Sequence, residues 1–230
     1  MNFIGCNFPF SGEPVVLRIG MKRLAARGWP RLLLLAMTGA LVAGFALWPR
    51  SPLSLASTTD LQTSGLLEQW QAGNVVVLVR HVERCDRSPH PCLGPADGIT
   101  RAGSEAAVHL GAAFRALGMS HTDVLSSPIT RTAQTAAYMF EQPTNAQEWL
   151  ASCGKSLRDE VLAHKLAHHN LLLVTHSGCI SDFESQTGFK HALASEYGSA
   201  LFVSVGDAGQ VKVLGVVNEQ NWQSLLNRKL

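Results

Sequence analysis

The residues in this chain that are best suited to chemistry are two histidines and three arginines that follow short hydrophobic segments. We predict that the segments 75–79, 123–126 and 171–174 are strands, because each is rich in aliphatic residues and gives way to polar ones. Guanidinium groups present paired donors that match phosphate oxygens, and helix amino termini add backbone N–H groups. The set therefore predicts a binding site for a phosphate dianion. Its members are Arg80, His81, Arg84, Arg131 and His176.

Helices are predicted to alternate with these strands, which indicates an α/β fold. The pattern favours a three-layer sandwich, with a mainly parallel sheet covered by helices on both faces. Because the carboxyl ends of parallel strands meet at one edge of a sheet, the five side chains are expected to converge there. The predicted helices are 99–117, 131–140 and 157–168, and two closing strands are predicted at 200–205 and 211–217.

The front of the chain has the pattern of a leader, with a basic flank followed by the uncharged stretch 32–48. This order is typical of a signal peptide or a membrane anchor that exports the rest of the chain. We expect 1–20 to be a misassigned start, 21–56 the leader, 57–73 a linker and entry helix, and 74–230 the domain that carries the site. The expected location is the periplasm, with the inner membrane as a partner if the leader is retained.

Charge is divided unevenly between the leader and the rest of the chain. Before Ser57 there are six Lys or Arg residues and one Asp or Glu, whereas from Ser57 onward there are thirteen and sixteen. The exported part therefore has a formal charge of −3, and no nucleic-acid partner is predicted because such a partner calls for a basic face. Small residues at Ser54 and Ala56 favour cleavage of the leader near this point.

Four cysteines lie in the exported part, an even number that fits an oxidising compartment. Four cysteines allow three pairings. Cys85 and Cys92 bracket a short, turn-rich loop, which favours a disulfide between them and leaves Cys153 to pair with Cys179. A zinc site built from Cys85, His90 and Cys92 is the alternative, although this spacing matches no usual zinc-finger pattern.

Three motifs together resemble those of the histidine phosphatase superfamily, whose members have the phosphoglycerate-mutase-like fold. The motifs are VRHVER, SSPITRTAQTAA and LLVTHSG, each at a predicted strand end, and the resemblance covers about 145 residues, 74–218. It implies that His81 is the nucleophile that takes the phosphoryl group. It also implies that the other members of the set bind the phosphate, namely Arg80, Arg84, Arg131 and His176. No metal ion or cofactor is implied.

The motifs leave the general acid, which protonates the leaving group, unassigned. Members of the superfamily commonly supply a Glu after the second arginine or an Asp directly after the second histidine. The corresponding places here hold Ser152 or Cys153, and Ser177. Glu148 lies in the same connection and is the candidate that we favour, with Glu83 inside the first motif as the alternative.

A narrower similarity links the chain to the branch of lipopolysaccharide core heptose(II)-phosphate phosphatases. It is carried by the segment RHVERCDRS, the helix start at 98–100, the pair Cys153-Gly154 and the motif THxxC at 175–179, and it extends to all four cysteines. It implies an exported phosphomonoesterase with a phosphohistidine intermediate, acting on a phosphorylated saccharide, namely heptose of the lipopolysaccharide core.

Two other functions are alternatives to this one. The first is a phosphatase or a mutase acting on another phosphorylated sugar. Only 44 residues separate Arg131 from His176, which leaves little room for the insertions that help mutases to hold a bisphosphate. The second is a phosphoglycan-binding module without turnover, which the missing acid motivates.

Overall fold

The computed structural model describes residues 29–47 and 51–226. The predicted misassigned start at 1–20 and most of the basic flank of the leader lie outside these residues. Of the predicted leader, the structure describes residues 51–56, which belong to the second unit, and the helix α1 (Trp29–Leu47), which belongs to a separate unit. Among the described residues, none of the helices combines the length and the apolar character needed to cross a membrane. The export role of the leader stays a prediction.

The second unit, 49–230, contains strands and helices that alternate along the chain. The strands are β1 (Val75–Arg80), β2 (Thr122–Ser126), β3 (Asn145–Ala146), β4 (Asn170–Thr175), β5 (Ala200–Val205) and β6 (Val211–Val217). The helices are α2 (Thr58–Thr63), α3 (Leu66–Gln71), α4 (Arg101–Leu117), α5 (Thr130–Phe140), α6 (Leu157–His164), α7 (Ser177–Gln186) and α8 (Glu219–Leu226). Two short 3₁₀ turns lie at Cys85–Arg87 and Glu148–Leu150.

The strands form one sheet in the order β3-β2-β4-β1-β5-β6. The pairs among β1 to β4 are parallel, whereas β5 is antiparallel to both β1 and β6. Arg80 lies beside Thr175, and Ser126 lies beside Val174. The residues that follow β1, β2 and β4 therefore leave the sheet at the same edge, and the predicted mainly parallel α/β fold is confirmed.

Helices cover both faces of the sheet. Successive side chains of a strand point to opposite faces, so those of β1 pack in two separate clusters. Val75, Val77 and Val79 of β1 pack in one cluster with residues of α3, α4, α5 and α8. Val76 and Leu78 pack in a second cluster with residues of α6 and α7. All of these β1 side chains are completely buried, which explains why this strand is a continuous aliphatic run rather than an alternating one.

The close packing of α4 against α5 positions the start of α5, which carries Arg131. A Cβ added at Gly111 of α4 would lie 2.0 Å from the backbone oxygen of Met139 in α5, so only glycine is compatible with this approach. Helix α4 begins at a side-chain cap, since Gly103 N donates to Thr100 Oγ1 at 2.9 Å. The helix pair is thus fixed both at its crossing and at its first turn.

The segment that precedes α2 is part of the sheet domain. Leu55 N donates to Val216 O at 2.7 Å, and Val216 N donates to Leu53 O at 2.8 Å, so this segment lies along β6. The Leu55 side chain is completely buried. An added Cβ at Gly215 would lie 2.5 Å from the Leu53 oxygen, and the glycine makes this approach possible. The sequence predicts leader up to residue 56, whereas in the structure 53–55 packs with the domain.

Two other segments differ from the predicted elements. Residues 57–73 form the consecutive helices α2 and α3 rather than a linker and one helix, and their Leu61 and Trp70 are buried in the core. Helix α6 ends at His164, about one turn before the predicted end. It stops there because Lys165 has an extended backbone conformation that cannot continue the helix.

Candidate active site

The strand register brings the histidines and arginines of the predicted site together at the carboxyl edge of β1 and β4. The ring centroids of His81 and His176 lie 5.5 Å apart, and the Arg131 guanidinium contacts both rings. Arg80 ends β1 directly before His81. Four of the five predicted residues therefore form one cluster, with Arg84 on the loop after β1.

His81 is held in one orientation and one tautomer. Its side chain is 3% exposed, and its Nδ1 lies 2.8 Å from the Val82 carbonyl oxygen. A carbonyl oxygen can only accept, so Nδ1 carries the proton and donates it, which leaves the lone pair on Nε2. Arg131 Nε donates to that Nε2 at 3.2 Å, and this contact requires the same tautomer.

The environment of His81 keeps its imidazole neutral. Burial is the main reason that the pKa of His81 falls to about 3. The charges of Arg131 and Arg80 lower the pKa further, whereas the hydrogen bond to Val82 acts in the opposite direction. A neutral imidazole with its Nε2 lone pair directed into the site is the nucleophilic form of histidine.

Arg131 bridges the two imidazoles. Its Nε donates to His81 Nε2 and its Nη2 donates to His176 Nδ1, both at 3.2 Å. Because His176 Nδ1 accepts, the proton lies on Nε2, which donates to Ser127 Oγ at 3.0 Å. Burial, followed by the charge of Arg131, lowers the pKa of His176 to about 4. The guanidinium is therefore the charged group between two neutral rings.

Thr135 and two helix starts help to position these groups. Thr135 Oγ1 donates to Arg131 O at 2.7 Å and accepts from Val82 N at 3.2 Å, so it joins α5 to the segment after His81. Neither α5 nor α7 begins with a side-chain cap. Backbone N–H groups in their first turns thus stay available to an anion at this edge of the sheet.

Arg80 is held by the segment that precedes β5. Its Nη1 donates to Ser195 O, and its guanidinium carbon lies 3.9 Å from the centroid of the Tyr197 ring. The Tyr197 ring also lies 5.6 Å from the His81 ring. Arg80 Nε is buried and has no hydrogen-bond partner among the described residues. Such a donor is uncommon in a folded protein.

Arg84 lies on the loop after β1, where its guanidinium pairs with both carboxylate oxygens of Asp86. The Arg84 side chain is 18% exposed. After burial and Arg131, its charge is the next cause of the lowered pKa of His176, so it acts on the site electrostatically. The structure thus places Arg84 beside the cluster with Asp86 as its partner, and phosphate binding by Arg84 stays a prediction.

Glu83, the alternative candidate for the acid, holds the loop after β1. Its carboxylate accepts from Ser88 Oγ at 2.9 Å, from His90 Nδ1 at 2.8 Å and from Thr100 Oγ1 at 2.8 Å. Burial acts to raise the pKa of Glu83, but these hydrogen bonds outweigh it and the pKa lies below its usual value. An ionised carboxylate with these partners has no proton to give, so its place in the loop is structural.

Glu148 lies in the 3₁₀ turn after β3. Thr175 Oγ1, at the end of β4, donates to Leu150 O at 3.0 Å, which ties this turn to the edge of the sheet where the site lies. The Glu148 side chain is exposed and forms no hydrogen bond or ion pair with any residue that the structure describes. The structure therefore does not bring this carboxylate into contact with the histidines, and its role as general acid stays a prediction.

Both predicted disulfides are present. Cys85 is bonded to Cys92 and Cys153 to Cys179, with Cα atoms 5.3 and 5.1 Å apart. The first closes the loop behind the nucleophile, and the second ties the connection after β3 to α7. The alternative zinc site is not formed, because its two sulfur atoms are bonded to each other and His90 donates to a carboxylate. Within the described ranges, no group of three or more His, Cys, Asp or Glu is arranged to hold a metal ion.

Four residues around the site were not among those predicted from the sequence. Ser127 and Thr135 lie inside the motif SSPITRTAQTAA. Their closeness to Arg131 in the chain could have indicated that they lie near the site. Ser195 and Tyr197 contact Arg80 from far along the chain, at a separation of 115 residues for Ser195. Their segment contains no motif, and no local pattern connects it with β1.

Comparison with solved structures identifies the fold of this protein. One is the protein histidine phosphatase SixA complexed with tungstate, with a TM-score of 0.53 and 15% identity over 64% of this chain and 98% of the other. Another is phosphoglycerate mutase from Bacillus anthracis str. Sterne, with a TM-score of 0.50 and 17% identity over 66% and 97%. At these identities the likeness concerns the fold, and the chain has the phosphoglycerate-mutase-like fold.

Sequence comparison narrows the relationship, although no protein-family model matches the chain. The chain is 36% identical over 125 residues to the lipopolysaccharide core heptose(II)-phosphate phosphatase of Escherichia coli O157:H7, which is 53% of this chain and 61% of that protein. It is 36% identical over 110 residues to the same-named protein of Escherichia coli O139:H28, covering 46% and 54%. The chain thus spans only about half to six tenths of the length of these curated relatives. The predicted resemblance to the histidine phosphatase superfamily and to this branch is confirmed.

Proposed function

We propose that this protein is an exported phosphomonoesterase that works through a phosphohistidine intermediate at His81. The observation that carries the proposal is the position of the Arg131 guanidinium, which donates to the lone pairs of two neutral imidazoles. A phosphoryl group at this point meets a nucleophilic nitrogen and cationic donors together. Phosphoryl transfer depends mostly on such positioning and on charge stabilisation.

The proposed reaction has two steps. First, His81 Nε2 forms a bond to phosphorus while the bond from phosphorus to the leaving oxygen breaks, and that oxygen takes a proton from an acid. Second, a water oxygen attacks phosphorus, the phosphorus–nitrogen bond breaks, and the water proton returns to the acid as phosphate leaves. The hydrogen bond from Nδ1 to Val82 stabilises the positive charge that the ring gains in the first step.

The arginines bind the transferring group in this proposal. As the ester enters, Arg131 exchanges its contact with His81 Nε2 for a contact with a phosphate oxygen. Arg80 supplies a second guanidinium, which forms no ion pair with any described residue. Together they stabilise the charge on the equatorial oxygens of the transition state.

Glu148 is the general acid that we propose, because its turn is tied to the edge of the sheet where the site lies. Glu148→Gln is expected to lower kcat on a sugar phosphate by about 10²–10⁴-fold, which is the usual contribution of general acid catalysis. The loss on 4-nitrophenyl phosphate is expected to be much smaller, since that leaving group needs no proton. Equal losses on the two esters would show that Glu148 is not the acid.

The proposed substrate is a phosphorylated saccharide of the lipopolysaccharide core, with heptose as the sugar. Three observations support it: the names of the curated relatives, the two disulfides that suit an oxidising compartment, and the leader pattern of the sequence. The test is to incubate the full chain with phosphorylated lipopolysaccharide core and to measure the mass of the product. Loss of one phosphate is expected, whereas an unchanged mass together with rapid hydrolysis of another monoester would refute the substrate.

The mechanism is tested with His81→Ala. This variant is expected to lose phosphate release from 4-nitrophenyl phosphate and to form no phosphorylated protein in rapid-quench experiments. His121→Ala, at an exposed histidine, is the control and is expected to keep full activity. Undiminished turnover in His81→Ala would refute the mechanism. Binding of a phosphosaccharide by the wild-type chain without turnover at any pH would instead favour the binding module.

A further inference from the structure

A cavity of about 180 Å³ lies beside the segment that holds Arg80. It is bounded by the segment before α2, the end of α7, the segment before β5 and the residues at the end of β6. Its volume is several times the roughly 30 Å³ that one water occupies in the liquid. The cavity thus has room for a small organic group. Its polar lining consists of Ser51, Ser54, Glu184, Ser195, Glu196 and Asn218.

Two polar atoms of this lining are buried without a partner. Glu184 is 2% exposed, and its Oε2 has no hydrogen-bond partner among the described residues. Ser195 Oγ is likewise buried and unpartnered. Buried polar atoms are nearly always paired in folded proteins, and an unpaired carboxyl is the costlier case. Glu184 and Ser195 both line the same cavity, so one occupant with donor hydrogens suits both side chains.

The chemistry of the lining selects the charge of that occupant. Glu184 and Glu196 line the cavity, and its described lining contains no Lys, Arg or His. An anion is repelled there, and an apolar group leaves Glu184 unpaired. Burial raises the pKa of Glu184 to about 7. Near neutral pH this carboxyl therefore gives up its proton at little cost when a cation arrives.

We propose that this cavity binds a primary ammonium group, with the Glu184 carboxylate as its counter-ion and Ser195 Oγ as a second acceptor. An ammonium group offers three N–H donors, which matches a carboxylate together with hydroxyl oxygens. The volume favours an organic ammonium over a bare metal ion. This inference does not depend on the phosphatase activity.

The cavity is linked to the proposed phosphate site through one residue. Ser195 lines the cavity, and its carbonyl oxygen accepts from the Arg80 guanidinium. An occupant that fixes Ser195 also fixes the acceptor that orients Arg80. The ammonium group has two sources that share this chemistry, a free amine or an amino group on the phosphorylated saccharide itself.

The test is a calorimetric or chemical-shift titration of the full chain with ethylammonium chloride at pH 8, in a buffer without amines. The wild-type chain is expected to bind with a Kd in the range of about 1–10 mM, as suits one small charged contact group. Glu184→Gln is expected to weaken binding at least about tenfold, because the neutral amide cannot act as a counter-ion. Glu105→Gln, at an exposed carboxylate on α4, is the control and is expected to bind as the wild type.

The pH dependence of the wild-type chain provides a test that needs no variant. With a pKa of about 7 for Glu184, the Kd for ethylammonium is expected to be about tenfold weaker at pH 6 than at pH 8, since the cation must displace a proton. Glucosamine 6-phosphate and glucose 6-phosphate distinguish the two sources. Tighter binding of the amino sugar, lost in Glu184→Gln, assigns the amine to the phosphorylated ligand, whereas equal affinities assign a free amine. Absence of saturable ethylammonium binding, equal binding of glycerol, or unchanged binding in Glu184→Gln would overturn the proposal.

Discussion

Replacing Glu184 by Gln is expected to stabilise the protein at high pH and to have little effect at low pH. Burial raises the pKa of Glu184 from about 4.5 to about 7 in the folded chain. As the pH rises from 4.5 to 7, the unfolded chain loses this proton while the folded chain keeps it, so the free energy of unfolding of the wild type falls. Each pKa unit corresponds to about 1.4 kcal/mol, and the loss is therefore ~3 kcal/mol above pH 8. The amide of Gln carries no proton that can be lost, and the variant is spared this loss.

The measurement is chemical or thermal unfolding of both proteins between pH 4.5 and 9, in buffers free of amines. The difference in free energy of unfolding between the two proteins is expected to grow by ~3 kcal/mol over this range, which for a domain of this size corresponds to about 6–12 °C in Tm. Other titrating groups are common to both proteins and cancel in the difference. Glu105→Gln is expected to run parallel to the wild type at every pH. Parallel curves for Glu184→Gln would refute the argument, because they would show that Glu184 ionises in the folded chain as it does in water.

Three further outcomes are expected. Tyr197→Leu removes the ring that contacts the Arg80 guanidinium. It is expected to lower kcat/KM by about 2- to 30-fold, because a cation–π contact contributes roughly 0.5–2 kcal/mol. Tyr197→Phe keeps the ring and is the control, so an equal loss in both variants would refute a role for the ring. Gly111→Ala places a methyl group against the backbone of α5 and is expected to cost about 1–3 kcal/mol in urea unfolding, whereas an unchanged midpoint would contradict the packing. Finally, the pH profile of kcat/KM, corrected for ionisation of the ester, is expected to show no imidazole titration near pH 6.5. The reason is that the pKa values of His81 and His176 lie at about 3 and about 4. A step in the profile near pH 6.5 would contradict these lowered pKa values.

The fold and the centre of the site could be predicted because their signals are local. An aliphatic run without charge specifies a strand covered on both faces, and β1 is such a strand. The residue after a strand lies at the edge of the sheet, so the positions of Arg80 and His81 could be predicted from the sequence alone. Arg131 and His176 could be placed by the same rule, since β2 and β4 are parallel to each other.

The features that could not be predicted depend on contacts between distant segments. Ser195 and Tyr197 reach Arg80 across more than a hundred residues, and nothing in their own segment marks them. Leu55 is another example, because a leucine after an apolar leader has the same local pattern whether it is buried or cleaved away. Its burial became visible only through the pairing of its backbone with Val216 of β6.

The charge balance of the cluster bears on the kind of phosphate ester it suits. Arg84 forms an ion pair with Asp86, whereas Arg80 and Arg131 form no ion pair with any residue in the described ranges. The two imidazoles are neutral, so they add no charge to the guanidinium groups of Arg80 and Arg131. A phosphomonoester carries a charge approaching −2 near neutral pH and balances them, whereas a diester carries only one negative charge. The charges of Arg80 and Arg131 also help to keep His81 unprotonated. The groups that would bind the dianion therefore also keep His81 in its nucleophilic form.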